Sequence, residues 1–181
     1  MSPLLTALDV GGDAAAWAAA GFAVEDDAVM LGAVQLRLGA TTSGITAWHF
    51  DGAAPAHNVE HPNTSIALDH LVVFTDDPDR TVETYATLGL DVRRVREIGG
   101  GRTQTFFRAG EPIIELVGPI PDTHGERFWG LAVTVADIEA CAQLLGNRLG
   151  PVKDAVQSGR RIATLRHEEC GLSVPIAFMS T

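Results

Sequence analysis

Cysteine is nearly absent. Cys141 and Cys170 are the only two in 181 residues, and they do not form a CxxC pair. That excludes a cysteine-only zinc site and a disulfide framework, and it fits a reducing compartment. Basic residues are also scarce: 13 Lys and Arg stand against 23 Asp and Glu, for a formal charge of −10. A chain so acidic lacks the basic surface that general nucleic-acid binding or docking on anionic lipid requires. The one local exception is the cluster Arg93, Arg94 and Arg96. No run approaches the roughly 18 apolar residues of a membrane helix. The opening MSPLLTALDVGGD has no basic start followed by a long apolar stretch, so no signal peptide is expected and a cytoplasmic location is. GxSxG, HExxH and P-loop patterns are missing. Gly99-Gly100-Gly101 lies between strand-like runs, outside the strand-to-helix context of a phosphate loop. What remains, 46% hydrophobic and 20% charged, is an ordinary globular composition.

The informative feature is a repeat. Ile66–Thr75 is apolar and β-branched and predicts a buried strand. Asp76-Asp77-Pro78-Asp79 is a helix-start signal, with the helix running to about Leu88 and stopped by Gly89. Three strand-like runs follow, Asp91–Glu97, Arg102–Arg108 and Pro112–Val117, with a tight turn at Ala109-Gly110-Glu111. The C-terminal third restates this order. Gly130–Ala140 lies over His70–Arg80, placing Asp137 on Asp77 ahead of a helix over 137–145. Gly159–Arg166 lies over Gly101–Arg108, and Gly171–Phe178 over Gly110–Val117. A tandem βαβββ duplication accounts for the match. The N-terminus shows a reduced version: a strand Leu4–Val10, a helix Asp13–Ala20, short strands at Phe22–Glu25, Ala28–Leu31 and Val34–Leu38, and an extra strand Ile45–Phe50. The expected organisation is therefore a partial module (1–52), a linker (53–65), a first full module (66–118), a connector (119–127) and a second full module (128–181). The fold class is α+β, with the modules forming a curved mixed sheet around a cavity.

Two side chains stand out against their apolar strands. Alternation along a strand puts His70 on one face with Leu68, Val72 and Phe74, and Glu115 on one face with Ile113 and Val117. A carboxylate within Ile113–Val117 needs a partner or a metal. With a two-residue turn at Ala109-Gly110, Gln104 opposes Glu115 and Phe106 opposes Ile113, so both share the Glu115 face. Gln104 is then a hydrogen-bond partner for Glu115 or a ligand, and Phe106 a stacking or core residue. Ile162 and Thr164 take the matching places in the second half, which makes that side of the cavity apolar. Trp129 precedes the second module as a cavity cap or a core residue. Arg160-Arg161 opens a strand, where Arg161 is a candidate contact for a substrate carboxylate or phosphate and a salt-bridged pair is the plainer alternative.

His70, Asp77, Arg80 and the later Ile-Glu-Leu at 114–116 resemble the first module of the vicinal oxygen chelate superfamily, the glyoxalase, bleomycin-resistance and extradiol dioxygenase type. The resemblance implies His70 and Glu115 as ligands of a divalent metal (zinc, nickel, iron or manganese), with Glu115 also moving a proton. The second module departs from the pattern: Gly130 stands at the place of His70, and counting from the hairpin glycine sets Ile176 at the place of Glu115. His49, His57 and His61 are the other imidazoles within reach of a substitute role. Two functions stay open. One is metal-assisted lyase, isomerase or dioxygenase chemistry on an oxygen-rich substrate. The other is metal-free binding, sequestration or sensing of a small molecule. A homodimer is compatible with either.

Overall fold

The computed structural model describes residues 3–52 and 59–181. Chain order is β1 (Leu5–Gly11), α1 (Ala14–Ala19), β2 (Ala28–Leu31), β3 (Val34–Ala40), β4 (Ile45–Phe50), β5 (Ser65–Thr75), α2 (Pro78–Thr87), β6 (Val92–Glu97), β7 (Thr103–Arg108), β8 (Ile113–Gly118), β9 (Glu126–Val135), α3 (Ile138–Leu145), β10 (Lys153–Asp154), β11 (Arg161–Thr164) and β12 (Ile176–Ser180). Both main helices start where the carboxylates predicted. The Asp77 side chain accepts from the Arg80 amide, with Pro78 in the first turn, and Asp137 accepts from the amides of Glu139 and Ala140. Each carboxylate satisfies donors that a helix start leaves unpaired.

The two repeat units share one eight-stranded sheet of order β10-β11-β12-β9-β5-β8-β7-β6. Within each unit the first strand runs parallel to the last, β5 with β8 and β9 with β12. The units meet where β5 and β9 pair antiparallel, with Leu71 opposite Leu131, His70 opposite Ala132 and Val72 opposite Gly130. That ladder sets His70 and Gly130 in equivalent places. Leu71 pairs with Ile114 and Leu131 with Ile176, so Ile114 matches Ile176 and Glu115 matches Ala177. The expected equivalence of Glu115 with Ile176 is thus off by one residue. Ile176 is buried on the helix-covered face, as Ile114 is, because counting from the glycine ignores the different loop geometry before each strand.

Two other expectations need correction. The β7–β8 hairpin closes at Arg108 opposite Ile113, leaving residues 109–112 as the loop, so Phe106 rather than Gln104 faces Glu115 and Gln104 faces Val117. The shift is by two, the period of the pleat, so both side chains keep the Glu115 face. Phe22–Glu25 is not a strand. Its only ladder contact is Glu25 with Ala28 across Asp26 and Asp27, both at positive φ. Phe22 is instead drawn into the core between Trp17 and Phe178, and His61 takes the Ala23 amide.

The N-terminal strands form a separate sheet of order β2-β3-β1-β4, in which β1 and β3 are parallel. This is a βαββ unit with β4 added antiparallel to β1. It packs on the convex, helix-bearing side of the large sheet: Phe22 stacks on Phe178, and Trp48 contacts Tyr85 of α2 and Phe128 of β9. The shared core joins Leu8, Val10 and Leu36 to Leu71, Val73, Ile114, Leu116, Val133 and Phe178. With one face of the large sheet filled in this way, its other face is left to line a cavity.

Candidate functional site

The concave face carries a cavity of about 810 Å³, within the range of small-molecule sites. His70, Gln104, Phe106, Ile113 and Glu115 line its floor and one side. Ile162, Met179 and the loop 155–158 line the other, and Arg93, Arg94 and Arg96 stand at its wall. Four of the predicted residues, His70, Glu115, Gln104 and Phe106, therefore come together.

At the floor, His70 Nε2 lies 3.4 Å from Glu115 Oε2, and the Gln104 amide donates to Glu115 Oε1 at 2.6 Å. The other ring nitrogen, Nδ1, is 2.9 Å from Asp69 Oδ1. Asp69 also accepts from Thr134 Oγ1 at 3.0 Å, and its Oδ2 pairs with Arg160 Nη2 at 2.7 Å. Arg160 further donates to the Ser180 carbonyl and to Gln157 Oε1, each at 2.7 Å. A polar chain thus runs from Gln104 through Glu115, His70 and Asp69 to Arg160. The side chains of its three central members are between 12% and 19% exposed. Burial acts to raise the Asp69 carboxyl, but hydrogen bonds and charge from His70 and Arg160 outweigh it and hold the group well below the usual carboxylate range.

Asp69 was missed because strict alternation sends it to the face opposite His70. The β5–β9 register shifts between Leu68 and His70, and such a bulge lets two successive side chains reach one side. Arg160 was passed over for Arg161, and here the expectation fails. Ile162 faces the cavity, so its neighbour Arg161 turns to the helix side and pairs with Glu139 of α3. Trp129 does not line the cavity. It sits at a second register shift, between Val72 and Val73, and stacks on Phe74 with ring centroids 5.2 Å apart.

The donor set for a divalent ion is short. His70 and Glu115 converge as two ligands of one ion would, but catalytic sites use three or more protein donors. Among the described residues no group of three or more His, Cys, Asp or Glu is arranged to hold a metal. Ala177, at the place of Glu115, offers no donor. At Gly130 an added Cβ would meet the Pro175 carbonyl oxygen at 2.7 Å, so that place is closed by backbone. Neither candidate substitute reaches the cavity: His49 binds Asp9 on the N-terminal sheet, and His61 spans the Ala23 amide and the Met30 carbonyl. His57 lies outside the described residues. The residues present do not fit the metal that the resemblance implies.

Residues 67–159, just over half of the chain, match the Glyoxalase/Bleomycin resistance protein/Dioxygenase superfamily. The chain belongs to this superfamily. Solved structures of similar fold include methylmalonyl-CoA epimerase from Mycobacterium tuberculosis. It is 23% identical, with 65% of this chain and 89% of that chain covered and a TM-score of 0.53. A variant of the Streptomyces coelicolor methylmalonyl-CoA epimerase in complex with 2-nitronate-propionyl-CoA is 25% identical, covering 63% and 96%, with a TM-score of 0.50. No curated protein sequence matches the chain. In this superfamily member, no helix among the described residues is long and apolar enough to cross a membrane.

Proposed function

We propose that this protein is an isomerase- or lyase-type enzyme that moves a proton at a carbon beside a carbonyl group, with Glu115 and His70 as its acid–base pair. One observation carries the reading. Asp69, held ionised, commits His70 Nδ1 as a donor, so Nε2 faces Glu115 Oε2 as a second acceptor 3.4 Å away. Two acceptors in that position repel unless a proton lies between them. In the proposed chemistry this pair exchanges one proton with a substrate bound on the cavity floor.

Glu115 removes the acidic proton of the substrate, and His70 Nε2 takes up or returns the proton shared with it. Asp69 fixes the imidazole tautomer and steadies the charge that develops there. Gln104 has a second N–H beyond the one given to Glu115, which can face the oxygen of the enolate. Positioned acid–base groups of this kind contribute about 10²–10⁴-fold to a rate.

A second reading, metal-free binding, sequestration or sensing of a small molecule, is supported by the missing donors at Gly130 and Ala177. Solvent exchange separates the two. Protein in D2O is mixed with methylmalonyl-CoA and a panel of 2-substituted 3-oxo acids, and deuterium at C2 is followed by NMR. The enzyme reading expects incorporation that falls at least about 100-fold in Glu115→Gln. Ligand-induced stabilisation without any exchange would support the binding protein instead.

A further inference from the structure

Arg93, Arg94 and Arg96 are not absorbed by that chemistry. They belong to β6, the outer strand of the large sheet. Arg94 pairs across the ladder with Phe106, and Arg96 with Gln104. Directly opposed residues share a face, so both arginines point to the side that carries Glu115, itself opposite Phe106. A register shift between Val92 and Arg94 frees Arg93 from strict alternation, and it lines the cavity too. Two strand spacings, roughly 10 Å, separate the Arg94 backbone from that of Glu115.

Arg37, Arg80, Arg160, Arg161 and Arg166 each pair with a carboxylate. Among the described residues, Arg93, Arg94 and Arg96 make no ion pair and no side-chain hydrogen bond, although the chain carries 23 acidic residues. Arg102, Arg108, Arg127 and Arg148 also lack an ion pair among the described residues, but only Arg93, Arg94 and Arg96 line the cavity. Like charges this close repel, and among the described residues Glu115 is the only acid lining the cavity. The facing wall is largely apolar, with Ile162, Met179 and Val156, the last 80% exposed.

We infer that Arg93, Arg94 and Arg96 form an anion-recognition strip for a phosphate-bearing ligand, whose other end lies against the apolar wall with its reactive carbon at Glu115 and His70. Guanidinium forks match phosphate oxygens in pairs and supply the missing counter-charge. The inference rests on the cavity being the ligand site, but not on proton transfer there.

The test uses the full chain and inorganic pyrophosphate as probe, with affinities measured by calorimetry at constant ionic strength for the wild type, R94Q/R96Q and E115Q. Saturable binding is expected in the wild type, retained or tighter in E115Q, and weakened at least about tenfold, or about 1.4 kcal/mol, in R94Q/R96Q. These exposed edge positions should leave the melting temperature nearly unchanged, which separates lost binding from lost folding. Absence of pyrophosphate binding in the wild type, or equal affinity in R94Q/R96Q, overturns the strip. So does a wild-type dimer that R94Q/R96Q dissociates without a change in affinity, because the arginines would then serve a second copy. Failure of deuterium exchange with pyrophosphate binding intact would sink the enzyme reading and leave this one standing.

Discussion

Truncating Arg160 should cost far more than truncating its neighbour Arg161, although the two are adjacent in sequence and both pair with acids. Arg160→Ala removes the guanidinium from Asp69, whose side chain is 12% exposed, and also frees Gln157 and the Ser180 carbonyl. Breaking a fully buried pair costs about 3–5 kcal/mol. Here His70 and Thr134 still bond Asp69 and some solvent reaches it, so the expectation is about 2–3 kcal/mol. For a chain of this size that corresponds to roughly 4–12 °C in melting temperature. Arg161→Ala breaks a pair whose partners are 43% and 64% exposed, worth about 0–1 kcal/mol. Parallel thermal and urea denaturation of both variants measures the contrast. The pH dependence follows from the lowered Asp69 pKa. A carboxyl ionised more readily in the folded state stabilises fully above its unfolded value near 3.9, and that stabilisation is lost as pH falls through the lower folded value. The gap between wild type and Arg160→Ala should therefore hold from neutrality to about pH 4 and narrow only below it. Equal losses for the two arginines would refute the buried relay.

Other outcomes follow from the same physics. Burial lowers the His61 pKa, against the raising effect of its bond to the Met30 carbonyl, so its stabilisation is complete above the unfolded value near 6.5 and is lost as pH falls below it. The melting temperature should drop between pH 7 and 5, with a smaller drop in His61→Asn; an identical drop contradicts this. Gly130→Ala should lose about 1–3 kcal/mol in urea melts, since its Cβ meets backbone that cannot swing aside. Gly130→His should not gain stoichiometric cobalt binding by absorption spectroscopy, and a tetrahedral cobalt spectrum would show that the missing donor had simply been replaced.

Much of this arrangement was legible in the sequence. The repeat marked the paired units, Asp77 and Asp137 marked the helix starts, and strand alternation brought Glu115, Gln104 and Phe106 to one face. A register error of two residues did no harm there, because it preserves the face. What escaped had no local signal. Asp69 joins His70 only through a bulge in β5, where Asp69 is the extra residue between Leu68 and His70. The choice between Arg160 and Arg161 turns on which of two adjacent residues faces the helix. Phe22–Glu25 has strand-like composition, but tertiary packing of Phe22 against Phe178 overrides it. The seating of the N-terminal sheet on the convex face rests on long-range aromatic contacts of Trp48 and Phe22.

The proposed sharing of a proton between His70 and Glu115 can be tested without any substrate. Long-range proton–nitrogen NMR of the histidine rings should show His70 Nδ1 protonated in both wild type and Glu115→Gln, with the Nε2 signal moving between the two proteins. A bare Nδ1 in the wild type, or an Nε2 signal indifferent to Glu115→Gln, would contradict the account.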